Sequence, residues 1–267
     1  MSTSRIFYEG KFISTRYANR RPPFRKHKKW LFDRYFTGGG RALDIGCGGG
    51  NELFCRADKV IGVDLSFSSL QNAKKIYDAA VLADVENLPF KDACFDWIVS
   101  EDVLGHIPFE NKAKVLRELD RILKPGGKHV HYIETVGHNR LQRFAQSDPV
   151  LYRKYFVEKD GHFGLESPQE VIQRFHDMGY SPLVEVGLYK TFIRELNEHL
   201  KRFDNAYQTR SYVLSLSVTV VKKVSKFPKL SYRLSKLIDW YIRITDHILP
   251  LHMADGLFVC YEKPFNE

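Results

Sequence analysis

The chain alternates short apolar runs with stretches whose apolar residues recur at helical spacing. Continuous apolar runs predict buried strands at 42–45, 60–64, 80–84, 95–100 and 129–133. Before the last of these runs, apolar residues recur every three or four positions and predict a helix over 116–123, which Lys124-Pro-Gly-Gly then ends. Strands that alternate with helices predict a parallel sheet covered by helices on both faces.

The second half of the chain adds one more helix and two more strands. Ser167, Pro168 and Glu170 have the chemistry of a helix start, and Gly179 supplies its end. Apolar runs at 182–186 and 256–261 predict the sixth and seventh strands. The whole pattern is that of an α/β domain.

The turn after the first strand has glycines at alternate positions, Gly46, Gly48 and Gly50, with Asp44 before them. Glycine allows a sharp turn and lets a ligand approach the main chain, and the helix predicted to begin near Asn51 offers N–H groups to a negatively charged group. A dinucleotide fingerprint needs a glycine where Asn51 stands, and a P-loop needs a lysine after the glycines. Neither pattern is present.

Carboxylates end the second and third predicted strands. Asp64 lies about 20 residues after the first glycine, where a doubly wound sheet places the acid that accepts hydrogen bonds from a ribose. The alternative is that Asp64 caps a helix over 66–77. Asp84 stands at the end of the next strand.

The glycine turn is followed by further motifs at 83–90, 95–96 and 116–127. They contain Ala-Asp-Val with Leu-Pro-Phe, then Phe-Asp, then Leu-Arg-Glu-Leu-Asp-Arg-Ile-Leu-Lys-Pro-Gly-Gly. In this order and at these spacings they resemble the motifs of class I S-adenosylmethionine-dependent methyltransferases of the small-molecule type. The resemblance covers 40–136 well and 165–187 loosely.

This resemblance implies S-adenosylmethionine as cofactor, S-adenosylhomocysteine as product, and a Rossmann-like doubly wound sheet of seven strands with the last strand antiparallel. It assigns the 46–50 turn to the methionine moiety, Asp64 to the ribose, and Leu65, Asp84 and Val85 to the adenine. Ser100 and Glu101 would lie nearest the methyl group. The cofactor-binding residues predicted in this way are Asp44, Gly46, Cys47, Gly48, Gly50, Asp64, Leu65, Asp84, Val85, Ser100 and Glu101.

Methyl transfer from a sulfonium is an in-line displacement, so the enzyme mainly positions the nucleophile. A general base is needed only when the acceptor is protonated at neutral pH. Of the candidates near the fourth and fifth strands, we choose His106, where related enzymes often place a histidine, together with Glu101. The other candidates are Glu134, His131, His138 and His162.

Composition limits the domain organisation, the partners and the cellular compartment that can be expected for this protein. The 267 residues are 43% hydrophobic and 13% aromatic, which suits one large domain or one domain with an insertion. A formal charge of +9 suggests an acidic partner: nucleic acid, an anionic membrane or a phosphorylated substrate. The cysteines have no metal-ligand spacing, so we predict no metal, no disulfide and a cytoplasmic protein, with peripheral membrane contact as the alternative. No signal peptide is predicted, and the run at 212–221 is too short to span a bilayer.

The predicted organisation has three parts. Residues 1–37 form an aromatic and basic flap followed by a helix, 38–190 with 255–267 form the catalytic core, and 191–254 form a helical insertion between the sixth and seventh strands. An apolar stripe runs through 226–249, and basic residues occupy the rest of that surface. Such a helix either lies on a membrane or packs as a cap on the core. Phe192, Tyr207 and Tyr241 would line a tunnel for an apolar substrate.

The acceptor is the open part of the prediction. No Asn-Pro-Pro-Tyr or Asp-Pro-Pro-Tyr sequence follows the fourth strand, which disfavours methylation of the amines of flipped bases. We expect transfer to an oxygen or carbon of a small-molecule or lipid-linked acceptor. The alternatives are methylation of an RNA wobble uridine, for which nucleic acid would be the partner, and a non-catalytic scaffold that binds the cofactor or a membrane.

Overall fold

The computed structural model describes residues 27–191 and 211–265, apart from the side chain of Leu214. Its sheet has seven strands in the order β3-β2-β1-β4-β5-β7-β6. Strands β1 to β5 run parallel to one another, and β7 runs antiparallel to both β5 and β6. The strands are β1 Arg41–Ile45, β2 Lys59–Asp64, β3 Ala79–Leu82, β4 Phe95–Glu101, β5 Leu123–Glu134, β6 Ser181–Leu188 and β7 Gly256–Glu262. The predicted doubly wound sheet is confirmed.

Helices occupy the connections between these strands. The α-helices are α1 His27–Tyr35, α2 Phe67–Ala73, α3 Phe109–Ile122, α4 Arg140–Gln146, α5 Pro149–Tyr152, α6 Pro168–Asp177, α7 Tyr212–Ser225 and α8 Pro228–Ile248. Short 3-10 turns lie at Glu52–Arg56, Leu104–His106 and Leu251–Met253, and a π-helical turn at Arg153–Glu158 continues α5. In the described part of the chain, no helix combines the length and the apolarity that crossing a bilayer requires.

Each face of the sheet is buried beneath helices. On one face, α3 and α6 pack their apolar sides, including Leu119 and Phe175, against β1, β4 and β7. On the other face, α1, the Glu52–Arg56 turn and α2 contribute Phe32, Phe54 and Leu70. Because both faces are covered at the centre of the sheet, β1 and β4 are mostly buried, which is why they appear as apolar runs in the sequence.

Three local boundaries differ from the sequence prediction. Helix α2 ends at Ala73, well before the predicted end at 77. Helix α3 begins at Phe109, and β5 follows it directly from Leu123, so the Lys124-Pro-Gly-Gly segment lies within the strand. A shift in the β4–β5 register accommodates that segment. The helical turns between β5 and α6 were not predicted, because polar and aromatic residues there obscure the helical spacing of apolar positions.

The predicted insertion between β6 and β7 contains α7 and α8. The predicted flap at 1–26 and the tunnel residues Phe192 and Tyr207 lie outside the described residues. Helix α8 is held to the rest of the protein through a polar side: Asp246 accepts a hydrogen bond from the Lys190 backbone N–H (3.0 Å), and Asp239 accepts one from that of His27 (3.0 Å). Much of its apolar stripe is exposed instead of packed on the core.

Candidate active site

A cleft of about 250 Å³ opens at the carboxyl ends of β1 to β4, where ligands bind in open parallel sheets. Chain segments that follow four neighbouring strands meet at this edge, so residues far apart in sequence share one cavity. The residues that line it are Asp44, Gly46, Cys47, Gly48, Gly50, Asn51, Phe54, Asp64, Leu65, Ser66, Ala83, Asp84, Val85, Glu86, Glu101, Asp102, Val103, His106, Ile107 and Pro108. Every predicted cofactor-binding residue except Ser100 is among them.

The glycine turn shapes one end of the cleft. Gly46, Gly48 and Gly50 all have left-handed backbone angles, with φ of 60°, 51° and 85°. A Cβ atom on Gly46 would lie 2.5 Å from Val103 Cγ2, and one on Gly50 would lie 2.6 Å from Ile76 Cδ1. The turn therefore requires glycine for its conformation and for its packing, and it leaves the main chain open to the cleft.

Asp64 is fixed by the turn that it faces. Its Oδ2 atom accepts a hydrogen bond from the Gly48 backbone N–H (2.7 Å), and its Oδ1 atom accepts one from that of Ser66 (2.8 Å). The cap of helix α2 is the side chain of Ser66 and not Asp64, since Ser66 Oγ accepts the N–H of Ser69. Asp64 thus links β2 to the glycine turn at the cleft wall.

Beneath the turn, Asp44 and Tyr77 form a buried pair. The Tyr77 hydroxyl donates to Asp44 Oδ2 (2.7 Å) and accepts the Asn51 backbone N–H (2.6 Å). Burial raises the pKa of Asp44 well above its ordinary value, although the bond from Tyr77 opposes the shift. Burial likewise raises the pKa of the Cys47 thiol, which makes it a packing residue and not a nucleophile.

Farther along the cleft, Asp84 and Val85 lie in the turn after β3. Asp84 Oδ1 accepts the backbone N–H of Glu86 (3.1 Å), which fixes the carboxylate at the cleft wall. Both residues therefore line the cleft from the segment that follows β3.

A partly buried ion cluster that includes Glu101 and Asp102 lies where β4 ends, beside the glycine turn. Lys28 of α1 lies 2.7 Å from Glu101 Oε1 and 3.3 Å from Asp102 Oδ2, and its Nζ stands 4.1 Å from the centre of the Tyr132 ring. Asn51 Nδ2 donates to Glu101 Oε2 (3.2 Å). The cluster thus joins the N-terminal helix, the glycine turn and the end of β4.

Burial and the charge of the partner oppose each other in this cluster, and the pKa values of Lys28 and Asp102 both end above their ordinary values. Burial alone would lower the pKa of Lys28, but the Asp102 and Glu101 carboxylates outweigh it and hold that pKa well above its ordinary value. Burial raises the pKa of Asp102 to about 7, against the opposing charge of Lys28, and Glu134 and Glu101 add to the rise. Asp102 also has a left-handed backbone, with φ of 61°. Neither Lys28 nor Asp102 was predicted from the sequence as a site residue.

His106 reaches the cleft from the 3-10 turn after β4, and two other predicted candidates lie beside it. Its Nε2 atom is 3.5 Å from Glu134 Oε2, and His162 Nε2 is 2.6 Å from the same oxygen. Burial lowers the pKa of His106, Glu134 opposes that shift, and His162 adds to it. His106 is therefore neutral at neutral pH and able to accept a proton.

The remaining predicted residues lie elsewhere. Ser100 is fully buried, and its Oγ atom is 2.7 Å from His131 Nδ1. His131 in turn contacts His129, which contacts Tyr180, so these side chains form a buried hydrogen-bonded row behind the sheet edge. His138 is exposed and pairs through its backbone N–H with the carbonyl of His252. The predicted places of Ser100, His131 and His138 at the reacting atoms find no support in this geometry.

The site fits a cofactor with a nucleoside and an amino-acid end. The glycine turn leaves open main chain where a Cβ atom would crowd Val103, and oriented carboxylates of Asp64 and Asp84 face the cleft from successive strands. Carboxylates are the acceptors that ribose hydroxyls and an adenine amino group require. Fold and cleft together define a nucleoside-binding doubly wound domain.

Comparison with known proteins identifies the class. A family model described as a methyltransferase domain matches residues 43–131. A demethylmenaquinone methyltransferase of Bacillus cereus (strain ATCC 10987 / NRS 248) is 31% identical over 164 residues, which are 55% of this chain and 67% of that protein.

Two solved structures share the fold. Phosphoethanolamine N-methyltransferase 2 of Haemonchus contortus, in complex with S-adenosylmethionine, has a TM-score of 0.55 and 20% identity over 89% of this chain and 52% of that one. Geranyl diphosphate C-methyltransferase of Streptomyces coelicolor A3(2) has a TM-score of 0.52 and 16% identity over 88% and 77%. The chain belongs to the class I S-adenosylmethionine-dependent methyltransferases, and S-adenosylmethionine is its cofactor.

Proposed function

We propose that the protein transfers a methyl group to an oxygen or carbon atom of a small-molecule or lipid-linked acceptor. The observation that carries this proposal is the charge of the cleft. Among the described residues that line it, the charged side chains are all carboxylates, with no lysine or arginine. Although the chain has a formal charge of +9, a cleft lined by carboxylates repels the phosphates of RNA. The Bacillus cereus relative, named for demethylmenaquinone, also agrees with a small-molecule acceptor.

The cofactor contacts follow from the same geometry. We propose that the 46–50 turn holds the methionine moiety, that Asp64 accepts the ribose hydroxyls, and that Asp84 with Leu65 and Val85 holds the adenine. Bound S-adenosylmethionine supplies an electrophilic methyl group, whose bond to sulfur breaks with the electron pair left on sulfur as S-adenosylhomocysteine. Glu101, which Lys28 and Asn51 hold in place, would orient the methyl end of the bound cofactor.

On the acceptor side, Asp102 and His106 are placed to take a proton from a hydroxyl or an acidic carbon. A pKa of about 7 suits Asp102 to general-base catalysis at neutral pH, and burial keeps His106 neutral and ready to accept. The remaining task of the protein is alignment, because the nucleophile must stand about 3 Å from the methyl carbon.

A transfer assay tests the acceptor class. Methyl-labelled S-adenosylmethionine and the protein are incubated with a fractionated cell extract, and label is counted in the organic phase, the small polar fraction and RNA. We expect label in the organic or small polar fraction, and none with Asp64→Ala. Label in RNA would overturn the proposed acceptor, and absence of label from every fraction would favour a scaffold.

We also propose that α7 and α8 touch an anionic membrane surface. Along α8, Phe227, Leu237, Trp240 and Ile248 are each more than half exposed, and on α7 Tyr212 and Val213 are more exposed still. Lysines and arginines flank this apolar surface, namely Lys222, Lys223, Lys226, Lys229, Arg233 and Lys236. An apolar stripe with basic flanks is the pattern of a helix that lies in a membrane interface. A lipid-linked acceptor would then reach the protein from the bilayer.

Vesicle flotation tests this contact. Vesicles of phosphatidylcholine with phosphatidylglycerol should retain the protein, less so at high salt because surface charges are screened, and pure phosphatidylcholine vesicles should retain little. Leu237→Asp should release the protein. Val150→Asp is the matched control, since Val150 is a comparably exposed apolar residue on α5. Equal retention by both vesicle types, or equal loss in both variants, would contradict the contact.

A further inference from the structure

His106, Glu134 and His162 come from three separate segments and meet at the acceptor side of the cleft. His106 ends the 3-10 turn after β4, Glu134 ends β5, and His162 follows the π-helical turn. Both imidazole Nε2 atoms face Glu134 Oε2, at 3.5 Å for His106 and 2.6 Å for His162. One donor atom from each residue lies within 4.8 Å of the others. The sequence predicted no metal because these residues have no short, regular spacing.

The backbone around the two rings fixes which nitrogen carries the proton. His106 Nδ1 lies 3.0 Å from the carbonyl oxygen of Gly161, and His162 Nδ1 lies 2.8 Å from that of Phe156. A carbonyl oxygen can only accept, so each Nδ1 must donate its N–H. In its neutral form each imidazole then has no proton on Nε2, and that nitrogen can donate a lone pair to a metal ion.

The three donor atoms lie close enough to share one cation, and the two imidazole centroids are 4.7 Å apart. One divalent cation shared by the three side chains satisfies both nitrogen lone pairs and the carboxylate without charging either ring.

We propose that His106 Nε2, His162 Nε2 and the Glu134 carboxylate form a binding site for a divalent transition-metal ion such as Zn²⁺. Two imidazoles and one carboxylate are an established donor set for such ions. Ligands about 2.1 Å from one metal lie roughly 3 to 3.4 Å from each other, so small side-chain movements suffice. The Nδ1–H bonds to backbone carbonyls are the outer contacts that orient metal-binding histidines.

Three protein ligands leave coordination positions for another molecule. Because His106 also lines the cleft, a position on that side would take an oxygen atom of the acceptor and favour its deprotonated form. With the ion bound, His106 is a ligand and Asp102 alone remains as the proposed base. This role of the ion rests on the proposed transfer to a small acceptor, whereas binding of the ion does not.

Metal binding is tested on the full chain without a histidine tag. The protein is dialysed against a chelator and titrated with Zn²⁺ by calorimetry, and the retained metal is measured by mass spectrometry after desalting. We expect one Zn²⁺ per chain and a higher melting temperature with metal. Glu134→Gln and His162→Gln should each weaken Zn²⁺ binding by roughly 10-fold or more, because loss of an outer contact to a metal ligand already weakens metal binding by about that factor. Co²⁺ in place of Zn²⁺ should give an absorption spectrum of nitrogen and oxygen ligation.

Two controls keep the result interpretable. His138→Gln removes an exposed histidine outside the cluster and should leave Zn²⁺ affinity unchanged. S-adenosylmethionine affinity of the same samples reports whether each variant is folded, and this readout is independent of any acceptor. No retained Zn²⁺ in the wild type, or unchanged affinity in Glu134→Gln, would overturn the metal site while leaving the proposed methyl transfer standing.

Discussion

The two ends of the cleft are built in different ways. The donor end, formed by the 44–51 turn with Asp64 and Asp84, comes from successive strand ends within one stretch of chain and is held mainly by bonds to backbone N–H groups. The acceptor end draws Lys28, Asp102 and the His106–Glu134–His162 cluster from distant segments. Contacts among charged side chains and imidazole rings hold the acceptor end together.

This difference separates binding from reactivity. Backbone geometry at the donor end does not depend on pH, since glycines and main-chain N–H groups do not titrate in the physiological range. At the acceptor end, burial and neighbouring charges bring the pKa of Asp102 to about 7 and depress that of His106. Variants at the donor end should change cofactor affinity, and variants at the acceptor end should change turnover and its pH dependence.

The largest effect is expected from Lys28→Met. Loss of the ammonium leaves Glu101 and Asp102 as neighbouring carboxylates without their shared cation. Because these side chains are partly exposed, the expected cost is about 3 kcal/mol, the lower end of the range for buried pairs. Urea denaturation at pH 8 should show a loss of that size in the free energy of unfolding. The neighbouring Lys29→Met is the control. A loss below about 1 kcal/mol, as for an exposed pair, would mean that the cluster is not a structural unit.

The second-largest effect is expected from Asp64→Asn, on the affinity for S-adenosylmethionine. A hydrogen bond to a charged group contributes about 1.5–3 kcal/mol, so S-adenosylmethionine should bind roughly 10- to 150-fold more weakly, as measured by calorimetry. Asp58→Asn is the matched control, because Asp58 accepts the backbone N–H of Gly40 (2.8 Å) away from the cleft. Equal affinities of the two variants would remove Asp64 from the donor end.

The pH dependence of turnover tests the acceptor end. As a base, Asp102 must be ionised, so kcat/KM should rise with pH through an apparent pKa near 7, and Asp102→Asn should lose this limb. The free energy of unfolding should change with pH in the opposite direction. Because the pKa of Asp102 is raised from 3.8 to about 7 in the folded protein, the stabilising contribution of its protonated form is full below pH 3.8. That contribution is lost as the pH rises to about 7.

Relative to Asp102→Asn, wild-type protein should therefore become less stable between pH 4 and 7. The free energy of unfolding of both proteins, measured across that range, checks the sign. A parallel course for the two proteins would show that Asp102 has an ordinary pKa.

The smallest effect is expected from a substitution outside both ends of the cleft. Ser167→Ala removes the capping box at the start of α6, in which Ser167 Oγ accepts the Glu170 N–H (3.2 Å) and Glu170 Oε2 accepts that of Ser167 (2.7 Å). The free energy of unfolding should fall by about 1 kcal/mol, with unchanged affinity for S-adenosylmethionine. A change in that affinity would show that α6 contributes to the donor end.

The same contrast explains what the sequence could predict. Donor-end residues follow from local pattern, because glycines and acids at strand ends keep their places in any sheet of this topology. Ser100 shows the limit of that pattern. Consecutive residues of a strand point to opposite faces, so Glu101 reaches the cleft and Ser100 turns to His131. Asp102 follows a strand end as Asp84 does, and that signal could have marked it.

The rest of the acceptor end lacked such a signal. Lys28 lies in a basic segment, and nothing in the sequence distinguishes it as the lysine whose side chain turns inward. Its partner Glu101 lies roughly 70 residues later on another element. Likewise the exposed stripe of α8 has the periodicity of a packed helix. Only the fold shows that Ile242 and Asp246 face the protein while Leu237 and Ile248 face outward.

The central claim is that donor and acceptor ends are separable, and one paired measurement tests it. S-adenosylmethionine affinity is measured by calorimetry for wild type, Asp64→Asn and Glu134→Gln, and single-turnover methyl transfer is followed in the same samples at saturating cofactor. The account predicts weakened affinity only in Asp64→Asn and slowed transfer with wild-type affinity in Glu134→Gln. Equal loss of affinity in both variants would contradict it.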